Sequence, residues 1–255
     1  AGYIKRTPLS EYKTQNRGGV GQKSAGTRDQ DFLEHMYVAT NHQYMLLFTQ
    51  KGKCFWLRVY EIPEGSKQAK GRAIQNLINI ENDDKVKAFI CTQDLRDEEY
   101  IKNHFIVMCT KLGQVKKTGL DQYSRPRQNG INAITIKDGD ELLEAKLTDG
   151  NSKVLVAARN GKMVRFDESK TRPMGRTASG VRGIKLADEK DEVIGLVTVS
   201  DLSSEILVVS ENGYGKRSSL DAYRETNRGG KGVKAMNITD KTGALISINS
   251  VTDND

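Results

Sequence analysis

Lys153-Val154-Leu155-Val156-Ala157-Ala158-Arg159-Asn160-Gly161-Lys162-Met163-Val164-Arg165 reads as an apolar run, a four-residue turn ending in glycine, and a second strand that finishes on a base. The run Lys153 to Ala157 is too short for an ordinary helix and too apolar for a sheet edge, which leaves an inner strand. Asn160-Gly161 supplies the positive φ that a tight hairpin needs, as does Asn212-Gly213. The same grammar recurs along the chain. The turns Thr49-Gln50-Lys51-Gly52, Thr110-Lys111-Leu112-Gly113 and Ser210-Glu211-Asn212-Gly213 follow the apolar runs Tyr44 to Phe48, Phe105 to Cys109 and Ile206 to Val209. Gly2 fits as a further turn. Behind the turns, Gly2-Tyr3-Ile4-Lys5-Arg6, Gly113-Gln114-Val115-Lys116-Lys117 and Gly213-Tyr214-Gly215-Lys216-Arg217 superimpose on Gly161 to Arg165 and also end in a base. Gly52-Lys53-Cys54-Phe55-Trp56 breaks this pattern and reaches its base two residues later, at Arg58.

A second landmark, a glycine opening a strand, falls at Gly21, Gly71, Gly130, Gly180 and Gly232, at intervals of 50, 59, 50 and 52 residues. The turn glycines give 50, 61, 48 and 52. Two independent landmarks thus keep one period of about fifty residues, the length of a propeller blade. The longer interval has a visible cause in the charged insertion Gln93 to Asn103. Gly130-Ile131-Asn132-Ala133-Ile134-Thr135-Ile136 and Gly180-Val181-Arg182-Gly183-Ile184-Lys185-Leu186 alternate apolar and polar residues, as half-buried strands do. The expected fold is all-β and propeller-like, with four strands per blade, five to six blades, little helix, and residues 1–255 in a single domain. Five turn glycines are visible, at 2, 52, 113, 161 and 213. Either the two ends complete one blade together or a terminal blade is incomplete.

The composition of 255 residues, with 36% hydrophobic and four Pro, is that of a folded chain able to bury a core. Cys54, Cys91 and Cys109 are odd in number and lack ligand spacing, which predicts buried thiols in a reducing compartment. His35, His42 and His104 lack the spaced partners of a metal site. No stretch reads as a membrane span or signal peptide. The acidic groups Glu81-Asn82-Asp83-Asp84 and Asp138-Gly139-Asp140-Glu141 read as turns at blade edges.

The formal net charge is +7, and bases recur at fixed places in the repeat. Radial symmetry would set Lys5 and Arg6, Lys116 and Lys117, Lys162 and Arg165, and Lys216 and Arg217 in a ring around one rim. Arg58, Arg72, Arg125, Arg127, Arg172, Arg176 and Arg224 would join it. Such a ring suits a wrapped phosphate backbone. The alternative is that these are solvated charges guarding strand edges. Two Arg-Gly-Gly segments, Gln15-Asn16-Arg17-Gly18-Gly19-Val20-Gly21 and Thr226-Asn227-Arg228-Gly229-Gly230-Lys231-Gly232, occupy matching repeat positions. Their glycines admit close backbone approach, and Arg17 or Arg228 offers a forked donor to phosphate. Such contacts position a duplex without reading its bases. The stretch Gly18 to Ser24 lacks the glycine that a phosphate loop requires immediately before Lys23, so nucleotide binding is not expected.

The opening Gly2-Tyr3-Ile4-Lys5-Arg6-Thr7-Pro8-Leu9-Ser10-Glu11-Tyr12, followed by Gln15 to Gly21, resembles the first blade and box of the C-terminal domain of the DNA gyrase A protein, and the resemblance covers essentially the whole chain. It implies a β-pinwheel, six-bladed in most members. The box residues Gln15, Arg17, Gly18, Gly19 and Gly21 are retained, whereas Asn16 and Val20 replace two usual bases; Lys231 keeps one of them in the second copy. The resemblance implies wrapping of duplex DNA in a positive sense, in support of ATP-dependent negative supercoiling. It implies partnership with the rest of the gyrase A protein and with the gyrase B protein in an A2B2 enzyme of the bacterial cytoplasm. ATP and Mg2+ would be used by other parts of that enzyme, with no cofactor and no catalytic residue in this domain. The equivalent domain of topoisomerase IV and a protein-interaction propeller remain as alternatives.

Overall fold

The computed structural model describes residues 2–12, 20 and 35–252. Its first strand is β1 (Tyr3–Ile4). The hairpin β2 (Tyr44–Thr49) and β3 (Lys53–Arg58) follows, then a short β4 (Arg72–Ala73) and a long β5 (Val86–Thr92). The next unit repeats the series as β6 (Phe105–Thr110), β7 (Gln114–Gly119), β8 (Ile131–Asn132) and β9 (Leu142–Thr148). A further unit contains β10 (Lys153–Ala158), β11 (Lys162–Asp167), β12 (Val181–Arg182) and β13 (Val193–Val199). The last contains β14 (Glu205–Ser210), β15 (Gly215–Ser219), β16 (Val233–Lys234) and β17 (Leu245–Val251). The hairpins fall on the expected apolar runs, and Gly52, Gly113, Gly161 and Gly213 all take positive φ. Among the described residues the one α-helix, α1 (Glu98–Lys102), lies in the charged insertion, where the Asp97 carboxylate caps the Tyr100 N–H.

The sheets are assembled across units. Each four-stranded sheet takes three strands from one unit and its outermost strand from the next, in the orders β5-β2-β3-β8, β9-β6-β7-β12 and β13-β10-β11-β16. β17-β14-β15 has three strands and β1-β4 has two. Four strands per blade therefore holds for three sheets. Among the described residues, Leu245–Val251 pairs with β14 and Tyr3–Ile4 with β4. The long strands β5, β9, β13 and β17 pack one against the next on the inner side. Each carries a register shift at the same place, opposite Phe48/Thr49, Cys109/Thr110, Ala157/Ala158 and Val209/Ser210. Such bulges sharpen the local twist.

The alternating segments after the second glycines are shorter as strands than their pattern predicts. Only Ile131–Asn132 and Val181–Arg182 join a ladder. Beyond them the N–H groups of Ala133 and Ile134 both turn to the Gly52 carbonyl, and those of Gly183 and Ile184 to Gly113. The turn glycine is thus clasped by the following unit. A Cβ on Gly113, at φ 96°, would stand 2.9 Å from the Ile184 carbonyl oxygen.

Both faces of the first three hairpins are buried, which explains their unbroken apolar runs, whereas β15 in the last is largely exposed. Leu46, Phe48 and Trp56 pack with Ile106, Met108 and Tyr123 of the next unit, while Met45, Leu47, Phe55 and Leu57 face Ile62, Ile74 and Ile78. Val107 and Cys109 meet Val154, Val156 and Phe166; Leu155 and Ala157 meet Ile206 and Val208. Cys54 and Cys109 are buried and Cys91 is half-buried. The acidic groups do lie at the turns: Asp84 and Asp140 accept the Lys51 and Leu112 N–H groups at 3.1 and 2.9 Å, as Asp191 accepts that of Asn160 at 3.1 Å.

Candidate nucleic-acid interface

The bases that follow the turn glycines do not form a common rim. Lys116, Lys117 and Arg165 are buried. Lys116 Nζ donates to the carbonyls of Ala133 and Arg176, both at 2.6 Å. Burial, assisted by the Arg176 charge, lowers its pKa to about 7. A neutral amine still offers two N–H donors, one for each carbonyl. Lys117 Nζ lies 3.1 Å from Glu168 Oε1 and 4.2 Å from the centroid of the Phe105 ring. Glu168 is buried and also accepts the Thr148 hydroxyl and the Ser152 N–H. Arg165 Nη1 donates to Leu220 O at 3.0 Å and Tyr223 O at 2.9 Å. Arg6 Nε donates to Ile62 O at 3.1 Å, and Lys5 Nζ to the carbonyls of Ser66, Lys67 and Ala69.

The expectation of exposed rim bases is corrected at Lys116, Lys117 and Arg165, and Lys5 and Arg6 are half-buried and engaged. The reason is topological. The strand after each turn is next to the following unit, so its side chains enter the joint between units. Of the remaining bases on these strands, Lys162 is half-buried and Lys216 exposed; Arg217 is exposed but holds Glu205 at 2.8 Å.

A second set of bases has a different fate. In the later units the chain after the 3-10 turn Leu120–Tyr123, Glu168–Lys170 or Leu220–Ala222 runs to the second glycine and the outermost strand β8, β12 or β16, and these loops carry Arg125, Arg127, Arg172, Arg224 and Lys231. All five are exposed and make no ion pair among the described residues. Arg72 is exposed on β4. Two exposed bases at a fixed offset from the second glycine, Arg182 and Lys234, belong with this set and were missed in the sequence. Their signal was available: each stands two residues after Gly180 or Gly232.

The loops follow one another around the molecule. Asn79 donates to Asn129 at 3.0 Å, Thr135 N–H to Ala178 O at 3.3 Å, and Gly229 N–H to Gly183 O at 2.8 Å. Each of these three loops therefore rests on the segment after the second glycine of the preceding unit. Arg176 and Arg228 serve this seating, donating to Asn132 O at 3.2 Å and Arg182 O at 2.8 Å. The second Arg-Gly-Gly copy thus spends Arg228 and the Gly229 amide internally and leaves Lys231 to solvent. The first copy, with Gln15, Arg17, Gly18, Gly19 and Gly21, lies outside the described residues.

The hairpin turns contrast with the loops because their bases are matched. Lys51 meets Glu81 and Asp83, Lys111 meets Glu192 at 3.2 Å, and Arg159 meets Glu211 at 2.8 Å. Arg58 is exposed and stacks over Tyr44 and Tyr60, with ring centroids 4.8 and 5.8 Å away. No cluster of three metal-ligating side chains occurs among the described residues, and no helix is long and apolar enough to cross a membrane.

Comparison with known proteins agrees with this fold. The model of the family described as DNA gyrase C-terminal domain, beta-propeller, matches residues 1–40, 43–93, 104–149, 152–200 and 204–252. The break between the second and third matches coincides with the insertion that holds α1. The DNA gyrase A protein of Staphylococcus epidermidis is 45% identical over 251 residues, and that of Staphylococcus aureus 43%. Each alignment covers 98% of this chain, which spans 28% of the length of these curated relatives. Among solved structures, the C-terminal domain of DNA topoisomerase IV superposes with a TM-score of 0.79 at 28% identity, covering 99% of this chain and 75% of that one. A DNA gyrase A C-terminal domain superposes at 0.74 and 24% identity, over 99% and 80% of the two chains, a likeness of fold.

Proposed function

The chain belongs to the DNA gyrase C-terminal domain family, and from that premise we propose that it wraps duplex DNA along its outer side, through phosphate contacts that do not read sequence. The observation that carries this reading is the row of exposed, unmatched bases on consecutive loops: Arg125 and Arg127, then Arg172, then Arg224 and Lys231. Permanently charged guanidinium groups with open forks suit phosphate oxygens. The turns, whose bases are matched by acids, offer no comparable field. Gln15, Arg17, Gly18, Gly19 and Gly21 join the same contact on the resemblance of their segment to the family's box, and Arg58, Arg72 and Lys216 extend it.

In the enzyme, this wrap would present a DNA segment for ATP-driven strand passage and so favour negative supercoils. The domain would supply no chemistry of its own, and ATP and Mg2+ would be bound by other parts of an A2B2 assembly with the gyrase B protein in the bacterial cytoplasm. The superposition on the topoisomerase IV domain favours a second reading, in which the chain binds DNA without chiral wrapping. Ligation of nicked plasmid circles with increasing amounts of the chain separates the two. A positive linking-number shift supports wrapping; tight binding with no shift supports the second reading, and no binding contradicts both.

A further inference from the structure

After three of the five turn glycines, the side chain four residues on makes the same kind of contact with the next unit. Arg6 donates to Ile62 O at 3.1 Å, Trp56 Nε1 to Tyr123 O at 2.9 Å, and Arg165 to Leu220 O and Tyr223 O. Each acceptor lies in or at the C-terminal end of a 3-10 turn in the following unit: Val59–Glu61, Leu120–Tyr123 or Leu220–Ala222. Lys117 reaches the corresponding turn, Glu168–Lys170, through the Glu168 carboxylate instead. Parallel bridges Arg6↔Glu64, Lys117↔Pro173 and Arg165↔Glu225 fix the backbone beside three of these contacts. The last member, Arg217, turns to Glu205 of its own sheet.

We propose that Arg6, Trp56, Lys117 and Arg165 are positioning residues that set the angle between successive units and thereby the path of the wrapped DNA. Three side-chain types hold one place because the joint needs a donor aimed at the next 3-10 turn. That turn begins the loop carrying the exposed bases, so its attitude sets where those bases point. A shift at one joint is passed to every later unit, because adjacent units share a core and an outer strand. The DNA arm of the test rests on the wrapping reading above; the DNA-free arm does not.

Trp56→Phe removes the indole donor and keeps a ring in the core, whereas Trp56→Arg installs the donor used at two other joints. Small-angle scattering of the DNA-free chain is expected to change for Trp56→Phe and return towards wild type for Trp56→Arg, both folding cooperatively. In nicked-circle ligation, Trp56→Phe is expected to keep duplex affinity while the linking-number shift per bound chain falls about two- to fivefold, as loss of one hydrogen bond at a joint would produce. Unchanged scattering and an unchanged shift would overturn the proposal. So would a shift that falls only in proportion to affinity, which would make position 56 part of the DNA contact. Should the wild-type chain leave DNA unshifted, the wrapping reading fails and the scattering arm alone decides. Arg165→Met repeats the test at a second joint.

Discussion

Arg165 and Arg172 belong to one unit and carry the same charge, yet Arg165 is buried with its guanidinium on two carbonyls and Arg172 lies open to solvent. The difference comes from the element each occupies. Arg165 is on β11 and faces the joint with the next unit; Arg172 follows the 3-10 turn and runs along the outer loop. In a repeat protein a residue type recurs first because every unit must grip its neighbour. Recurrence alone therefore does not mark a ligand surface.

The sharpest way to break this comparison is to remove one partner from each class. Glu168 is buried beneath Lys117, so Glu168→Ala leaves a buried ammonium without its counter-charge and is expected to cost about 3–5 kcal/mol of stability. Arg172→Ala removes an exposed, unmatched base and should stay within about 0.5 kcal/mol. Thermal and urea unfolding of the two variants measures both. Equal effects would dissolve the distinction between joint bases and loop bases.

A smaller effect concerns Lys116. Its folded pKa of about 7 lies below the 10.5 of an unperturbed lysine. Between these values the unfolded chain holds a proton that the folded chain has released, so stability rises with pH across that window. Below about 7 both states are protonated and the cost of burying the charge is present in full. Relative to Lys116→Met, which cannot titrate here, the wild-type chain should gain on the order of 1 kcal/mol per pH unit between pH 7 and 10. Urea midpoints of both proteins at several pH values give the difference directly; a constant difference would show that Lys116 keeps its proton.

Much of the fold was legible because its signals are local. A glycine that must take positive φ, an apolar run too short for a helix and a charged insertion all act within a few residues, and Gly113, Phe105–Thr110 and α1 answer to them. Strand length after the second glycine was not legible. The alternation of Ile131 to Ile136 describes burial, while the ladder stops where Ala133 and Ile134 turn to the Gly52 carbonyl, an acceptor set by the preceding unit. Trp56 gives the clearest lesson. As a base it breaks the repeat, but as a donor aimed at the Tyr123 carbonyl it completes it. What recurs is the hydrogen bond, and residue type is only its proxy.

The candidate site was legible in part for the same reason. The loop bases Arg125, Arg127, Arg172 and Arg224 were found by charge and position. Arg182 and Lys234 were missed because they stand on a segment read as an ordinary strand. Arg228 and Gly229 carry the chemistry of a phosphate clasp, but the neighbouring unit supplies the carbonyls they bind.

The central claim is that the loop bases, and not the joint bases, meet phosphate. Its direct test is duplex binding across a range of salt concentrations for the wild-type chain, the combined Arg125→Ala, Arg127→Ala, Arg172→Ala and Arg224→Ala variant, and Trp56→Phe. Each phosphate contact contributes a slope of about −0.9 to log affinity against log salt. The fourfold variant is predicted to lose a slope of roughly 3 to 4 while Trp56→Phe keeps the wild-type slope. A fourfold variant that retains the wild-type salt dependence would contradict the account.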